Sequence, residues 1–330
     1  MKRALAVALA AGLCLRVVAS ADAAPPVGVV VPGTGTQLTQ VGDDFEDPNW
    51  TFIPNGAKSS EEIDKQQRPP LGKSNNGRWY EGAKRGYPDI AKRVAVPEGG
   101  LPGSTAALLL QSRLTGVPGR ISNEVQQDDF IGNVQYRMGG PLSVSQSPSF
   151  TTRVYMPPLE EWENRVGPHF AFRSAIETTK PKKAKFFFSP GGEENEIYWP
   201  GLFVLMEYRR DAAGQQQRHA YFRVRANESG GDVRGPDIPV AGWWTLGLSY
   251  TPDGRVHYFA KPGVDELTLD DYVASSYPYG YRCERVRTFF YNTINHEDGR
   301  TWSTPFLVDD PKAYVLQGGR VAAQPSVQRR

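Results

Sequence analysis

Seven runs of β-branched and aromatic residues, at 150–156, 169–173, 203–209, 219–226, 243–250, 255–261 and 286–294, are bounded by Gly, Pro, Asn and Asp, and almost nothing between them sustains a helical period. This pattern restricts the chain to strands joined without alternating helices, which pair antiparallel and close into a sandwich or barrel. Only 158–165 and 268–273 read as short helical turns. Thr251-Pro252-Asp253-Gly254 is the clearest hairpin, because Pro presets the first turn position and Gly accepts a positive φ. The 34 Gly and 27 Pro exceed ordinary usage for 330 residues. They gather at 54–93 and 99–119, which predicts long N-terminal loops on a β scaffold.

The N-terminus reads as a secretory signal over 1–23: Lys2-Arg3, an apolar run over 4–15, and an Ala21-Asp22-Ala23 end. Cys14 leaves with it, so Cys283 remains alone and no intramolecular disulfide can form; the mature chain must rely on a packed core. An Ala-rich signal without disulfides suggests a bacterial exported protein, secreted or periplasmic, in which the sequons at Asn49 and Asn227 are coincidental. No later apolar run approaches the ~20 residues of a membrane span, so the mature protein is expected to be soluble. Residues 24–41 read as an extended linker, 42–317 as one domain, and 318–330 as a polar tail. The formal charge is +2, and cleavage removes Lys2, Arg3, Arg16 and Asp22 to leave 35 of each sign. Charge therefore gives no argument for a nucleic-acid partner.

Alternation along the strands sorts side chains by face. In 219–226 the apolar set is Ala220, Phe222, Val224 and Ala226, and the opposite face carries His219, Tyr221, Arg223 and Arg225. The same parity sets His169 and Arg173 opposite Phe170 and Phe172, sets Arg153 and Tyr155 opposite Thr152 and Val154, and places Glu207 beside Arg209. Gathered on one sheet, such residues would suit an anionic polysaccharide, with Arg forks pairing carboxylate or sulfate and rings covering sugar faces. The plainer reading is a solvated sheet face with cross-strand pairs.

The run Trp243, Tyr250, Asp253-Gly254 and Tyr258 resembles the W-x6-Y-x2-D-G-x3-Y hairpin of the concanavalin A-like lectin/glucanase superfamily. Asp43-Asp44-Phe45-Glu46 and Phe306-Leu307-Val308-Asp309-Asp310 resemble that superfamily's adjacent first and last core strands. The resemblance spans about 42–316 and implies an antiparallel jelly-roll β-sandwich. It also implies a structural Ca²⁺ near the paired strands, with Asp44, Glu46 and Asp309 as oxygen donors, and no other cofactor. Jelly-roll alginate-lyase-like enzymes carry Q-x-H and R-x-E strands. Gln217-Arg218-His219 matches the first, whereas Arg120 and Glu124 are wrongly spaced for the second. A lyase reading would assign acid and base work to His219 and Tyr221. The laminarinase-like E-x-D-x-x-E motif is absent; Glu193-Glu194-Asn195-Glu196 is the nearest stretch and reads as a solvated turn.

His169, His219, His257 and His296 lack metal-ligand spacing, and the chain contains neither a Walker loop nor a G-x-S-x-G elbow. Three readings follow: an exported β-sandwich that binds an acidic polysaccharide, a polysaccharide lyase of similar fold, and an envelope adhesion protein with a protein partner. For the first two, the substrate-binding candidates are Arg153, Tyr155, His169, Arg173, Glu207, Arg209, Arg223 and Arg225.

Overall fold

The computed structural model describes residues 28–182, 192–225 and 232–316. The expected signal, the tail and Ala226 lie outside them. In chain order the strands are β1 (Thr36–Gln37), β2 (Phe52–Ile53), β3 (Lys73–Ser74), β4 (Trp79–Glu81), β5 (Ile90–Ala95), β6 (Ala106–Gln111), β7 (Val125–Gly132), β8 (Leu142–Ser143), β9 (Ser149–Met156) and β10 (Gly167–Pro181). They continue with β11 (Glu193–Tyr198), β12 (Gly201–Arg210), β13 (Gln216–Arg225), β14 (Asp232–Ile238), β15 (Gly242–Tyr250), β16 (Val256–Pro262), β17 (Tyr272–Ser276), β18 (Arg285–His296) and β19 (Phe306–Val315). All the predicted runs are strands, and the two predicted turns are the 3-10 segments Leu159–Glu161 and Leu269–Asp271.

The strands form two antiparallel sheets of a jelly-roll-like β-sandwich. One runs β17-β16-β15-β9-β19-β6-β5 with β1 beside β19; the other runs β14-β13-β12-β10-β18-β7-β4-β3-β2, with β11 on β10 and β8 on β18. The predicted parity sets the core between them. Phe150 and Val154 face inward from β9, and Phe170, Phe172, Phe222 and Val224 face them from the second sheet. Tyr291 lies at the centre, stacked on Trp79, Phe170 and Phe172 with ring centroids 5.7 Å away in each case. Its hydroxyl meets Thr152 Oγ1 at 2.7 Å, so the phenol bridges the sheets without leaving a buried polar atom unpaired. The hairpin closes as its residues demand: Gly254 has φ 86° and donates to Thr251 O at 2.8 Å.

Four expectations are corrected. The stretches 54–93 and 99–119 are not loops throughout, because β3, β4 and the start of β5 lie in the first and β6 in the second. Residues 28–41 are part of the fold rather than a linker: Thr36 and Gln37 pair with Val315 and Tyr314, and Leu38 and Val41 enter the core. The 43–46 stretch is no strand. Asp43 N does reach Pro311 O at 3.2 Å, but Phe45 turns into the left-handed region at φ 56°, which drives its buried ring between Trp50 and Trp79. Glu193–Glu196 is not a turn but the start of β11, held against β10 by register and by Lys180, whose ammonium lies 2.7 Å from Glu196.

Candidate functional site

The outer face of the second sheet carries Arg173, Glu207, Arg209, His219, Tyr221, Arg223 and Arg225 of the residues that alternation set apart. Phe203 faces Arg223 across the β12–β13 ladder, Leu205 faces Tyr221 and Glu207 faces His219. Ala171 and Arg173 follow on β10, Asn292 on β18 opposite Ala171, and Asp129 on β7 opposite Asn292. Ala171, Phe203, Leu205, Tyr221 and Ile294 form a small apolar cluster on this face.

A hollow of about 340 Å³ opens here, floored by Arg173, Phe290, Gln127 and Asp129 and walled by Glu62, Lys84, Arg85, Trp199, Arg225 and Tyr279. The long N-terminal loop builds one wall. Glu62 lies on the short helix α1 (Glu61–Asp64), whose first amides donate to Ala83 O and Lys84 O, and the Asp129 amide holds Gly86 O at 2.8 Å. On the other side of β7, Asp128 and Asp89 clamp the Lys58 ammonium at 2.6 and 2.7 Å. Adjacent residues of one strand thus serve two purposes, Asp128 anchoring the loop and Asp129 facing the hollow.

Arg173 is 7 % exposed and lies between the Phe203 and Phe290 rings, 5.0 and 5.3 Å from their centroids. Its Nε and Nη2 donate to Trp199 O at 3.2 and 2.6 Å, and Nη1 donates to Asn292 Oδ1 at 3.0 Å. Burial lowers its pKa to about 10, and it makes no ion pair with a described carboxylate. Gly201 makes room for it: a Cβ there would stand 2.4 Å from Arg173 Cγ and 2.8 Å from Phe172 O. Asn292 Nδ2 passes the chain of hydrogen bonds to Asp129 Oδ1 at 2.5 Å. Burial outweighs the nearby Arg173 and Arg85 and raises the Asp129 carboxyl to about 6.

Arg225 pairs with Asp232 at 3.0 Å; burial opposes its charge, but Asp232 and Tyr279 raise its pKa overall. Lys84 Nζ stands 4.2 Å over the Trp199 ring. Tyr279 has φ 59°, a strained backbone for an aromatic residue, in a turn where its ring stacks on Tyr198.

The predicted site residues divide. Arg173 and Arg225 meet at the hollow, and Arg223 lies beside them, donating to the Tyr221 hydroxyl at 2.8 Å. Tyr221 is covered by the Arg234 guanidinium 3.7 Å above its ring, and neither it nor His219 lines the hollow. Glu207 and Arg209 are tied into an exposed network with Arg234 and Asp237.

Arg153 and Tyr155 belong to the other sheet. Arg153 is buried and pairs with Glu266 and Asp310, and Tyr155 packs on Trp243. His169 does leave the core-facing side of β10, but the loop after β9 and Thr304 bury it fully: Thr304 Oγ1 contacts one ring nitrogen at 2.8 Å and Arg165 O the other at 3.1 Å. Alternation gives a residue's face; it says nothing about which sheet the strand joins or what covers it.

Burial lowers His169 to a pKa of about 3 and His257 to about 4. For a base lowered in this way, the contribution to stability is complete above the unfolded value near 6.5 and is lost as pH falls toward the folded value. Asp129 and Asp309, both raised to about 6, act in the opposite sense over pH 6 to 4, so the informative quantity is a difference between proteins. On acidification from pH 7 to 4.5, wild type should lose about 2–3 kcal/mol more unfolding free energy than His169→Gln, measured by urea titration. Equal losses would show that His169 is protonated in the folded chain.

Of the calcium candidates, Glu46 and Asp309 share Ser104 Oγ at 3.1 and 2.9 Å. Burial works against the Glu46 charge, but donors from Thr105, Ala106 and Ser104 lower its pKa to about 2. Asp44 instead lines a separate hollow with Asp43, Asp47 and Asp310. The three carboxylates share no cradle, and no group of three or more His, Cys, Asp or Glu residues suited to a metal occurs among the described residues. No described helix is long and apolar enough to cross a membrane.

No protein-family model matches the chain, and no curated protein matches it. Solved structures do. An alginate lyase from Pseudomonas aeruginosa is 7 % identical, with 69 % of this chain and 84 % of that one covered and a TM-score of 0.32. The catalytic domain of a GH131 β-glucanase from Podospora anserina is 12 % identical over 72 % of this chain and 88 % of that one, at a TM-score of 0.36. The Ca²⁺- and Man3GlcNAc-bound exoplasmic/lumenal domain of VIP36 is 8 % identical over 74 % and 86 %, at 0.32. Similarity at this distance assigns no residue and no activity to this chain.

Proposed function

We propose that this chain is an exported glycan-binding β-sandwich whose hollow on the outer face of the second sheet receives an acidic polysaccharide. The observation that carries this reading is Arg173, a buried guanidinium that forms no ion pair with a described carboxylate and is fixed by Trp199 O and Asn292. Its terminal nitrogens keep N–H groups available for a planar anion. Lys84 and Arg225 add positive charge, and the rings of Trp199 and Tyr279 offer apolar surface to sugar faces. Neutral overall charge is compatible with this, because the cations are concentrated locally.

Affinity electrophoresis against immobilised polyuronates, sulfated glucans and neutral glucans tests the reading. Retention is expected with at least one acidic polymer, weakening with salt, and not with the neutral ones. Retention of none of them would remove it and favour a protein partner. Eliminative cleavage is a second reading, motivated by His219 and Tyr221 sharing one face of β13 with Arg223 and Arg225. It requires unsaturated products that disappear in His219→Ala and Tyr221→Phe; intact polymer after long incubation rules it out.

A further inference from the structure

Building on the proposed binding of an acidic polysaccharide, we infer that the hollow selects a carboxylate-bearing sugar over a sulfated one by letting the sugar carboxylate share a proton with the free Oδ2 of Asp129. The geometry is asymmetric at this carboxyl. Oδ1 accepts from Asn292 Nδ2 at 2.5 Å and from Gln127 Nε2 at 3.1 Å. Oδ2 takes no hydrogen bond from any described residue, while Asp129 lines the hollow. Because Arg173 donates to Asn292 Oδ1, the amide of Asn292 can turn only its NH₂ toward Asp129. One relay therefore places a guanidinium and a carboxyl oxygen on the same floor.

The charged groups around Asp129 are Arg173 from β10, Arg85 and Lys84 from the loop after β4, Glu62 from α1, and Arg225 from β13; Tyr279 is the remaining titratable neighbour. Burial outweighs the two nearest cations and holds the carboxyl at about 6. Below that pH, Asp129 is a donor aimed into the hollow; above it, an anion that repels any acidic ligand. A uronate carboxylate is basic enough to share the Asp129 proton while pairing with Arg173. A sulfate ester is a much weaker base and gains only the guanidinium. A bound carboxylate also disfavours ionisation of Asp129, so by linkage a proton is taken up near neutral pH.

Isothermal titration with oligogalacturonate and with a sulfated glucan, at pH 5, 6 and 7 in buffers of different ionisation heat, tests this. Oligogalacturonate should bind about tenfold more weakly at pH 7 than at pH 5, with proton uptake visible in the buffer dependence. It should also bind more tightly than the sulfated polymer at pH 5. Asp129→Asn, with its fold checked by circular dichroism, should bind uronate with a flat pH profile; if it misfolds, the wild-type buffer dependence decides alone. Uronate binding that is equal at pH 5 and 7 without proton uptake, or equal affinity for both polymers at pH 5, overturns the inference and leaves the binding site standing. If neither polymer binds at any pH, the site assignment falls and this inference with it.

Discussion

Lys58→Met should lower the unfolding free energy by about 3–5 kcal/mol at pH 8, the usual consequence of leaving one member of a buried ion pair behind. Lys58 Nζ contacts Asp128 Oδ2 at 2.6 Å, Asp89 Oδ1 at 2.7 Å and Leu114 O at 2.9 Å. Asp128 is fully buried, and among the described residues its other oxygen has no partner and Ser112 alone adds a neutral donor. Burial already pushes the Asp128 carboxyl up to about 7 against the pull of Lys58. In the variant it is expected to take up a proton instead of remaining an uncompensated anion, so the loss should shrink as pH is lowered from 8 to 5. Replacing both partners, as Lys58→Met with Asp128→Leu, should recover part of the loss, because the desolvation cost of both charges disappears. Urea unfolding across this pH range is the measurement, and a Lys58→Met protein within about 1 kcal/mol of wild type at pH 8 would contradict the anchoring role of the pair.

The legible part of the fold was the set of β-branched and aromatic runs closed off by turn residues. Strands β9, β10, β12, β13, β15, β16 and β18 announce themselves in this way, β9, β10 and β13 with a two-residue alternation as well, whereas β12 is apolar on both faces over 202–206. The segments β6 and β7 do not. Ala-Ala-Leu-Leu-Leu-Gln holds no β-branched or aromatic residue, and Val125–Gly132 continues from its first residue through Gln126, Gln127, Asp128 and Asp129, a polar stretch with no strand signal of its own. The partners of the two aspartates are distant in sequence: Lys58 for Asp128, Asn292 for Asp129.

For the same reason the site was half visible. Arg173 and Arg225 were found through face parity, but Asp129, Glu62, Lys84, Arg85, Trp199 and Tyr279 reach the hollow from loops or from a polar strand, where no period marks them. The parity of 286–294 does set Asn292 apart from its neighbours Tyr291 and Thr293, a signal that a polar side chain within an aromatic strand can supply. Conversely, His169 and Arg153 have the right chemistry and the right parity but lie buried beneath the segments around Thr304 and Glu266, and coverage by a distant segment leaves no mark on the strand's own pattern.

Arg173→Leu should weaken uronate binding at pH 6 by about 10- to 150-fold, the range expected for a charge-assisted hydrogen bond of 1.5–3 kcal/mol. Arg173→Lys should fail nearly as badly. A lysine keeps the charge but cannot hold Trp199 O and Asn292 Oδ1 at once while presenting a planar fork to the anion. Loss of affinity in these variants alone would not separate charge from placement, and Gly201→Ala does. The added Cβ would lie 2.4 Å from Arg173 Cγ and 2.8 Å from Phe172 O, so the guanidinium must shift while every charge in the hollow is retained. Affinity should fall in Gly201→Ala, with the salt dependence preserved, because that dependence reports how many cations take part and not where one of them points. In Arg173→Leu the salt dependence should fall with the affinity. If Arg173→Leu binds uronate as wild type does, the anion is held elsewhere on the sheet, and the Arg223 side of the face becomes the place to look.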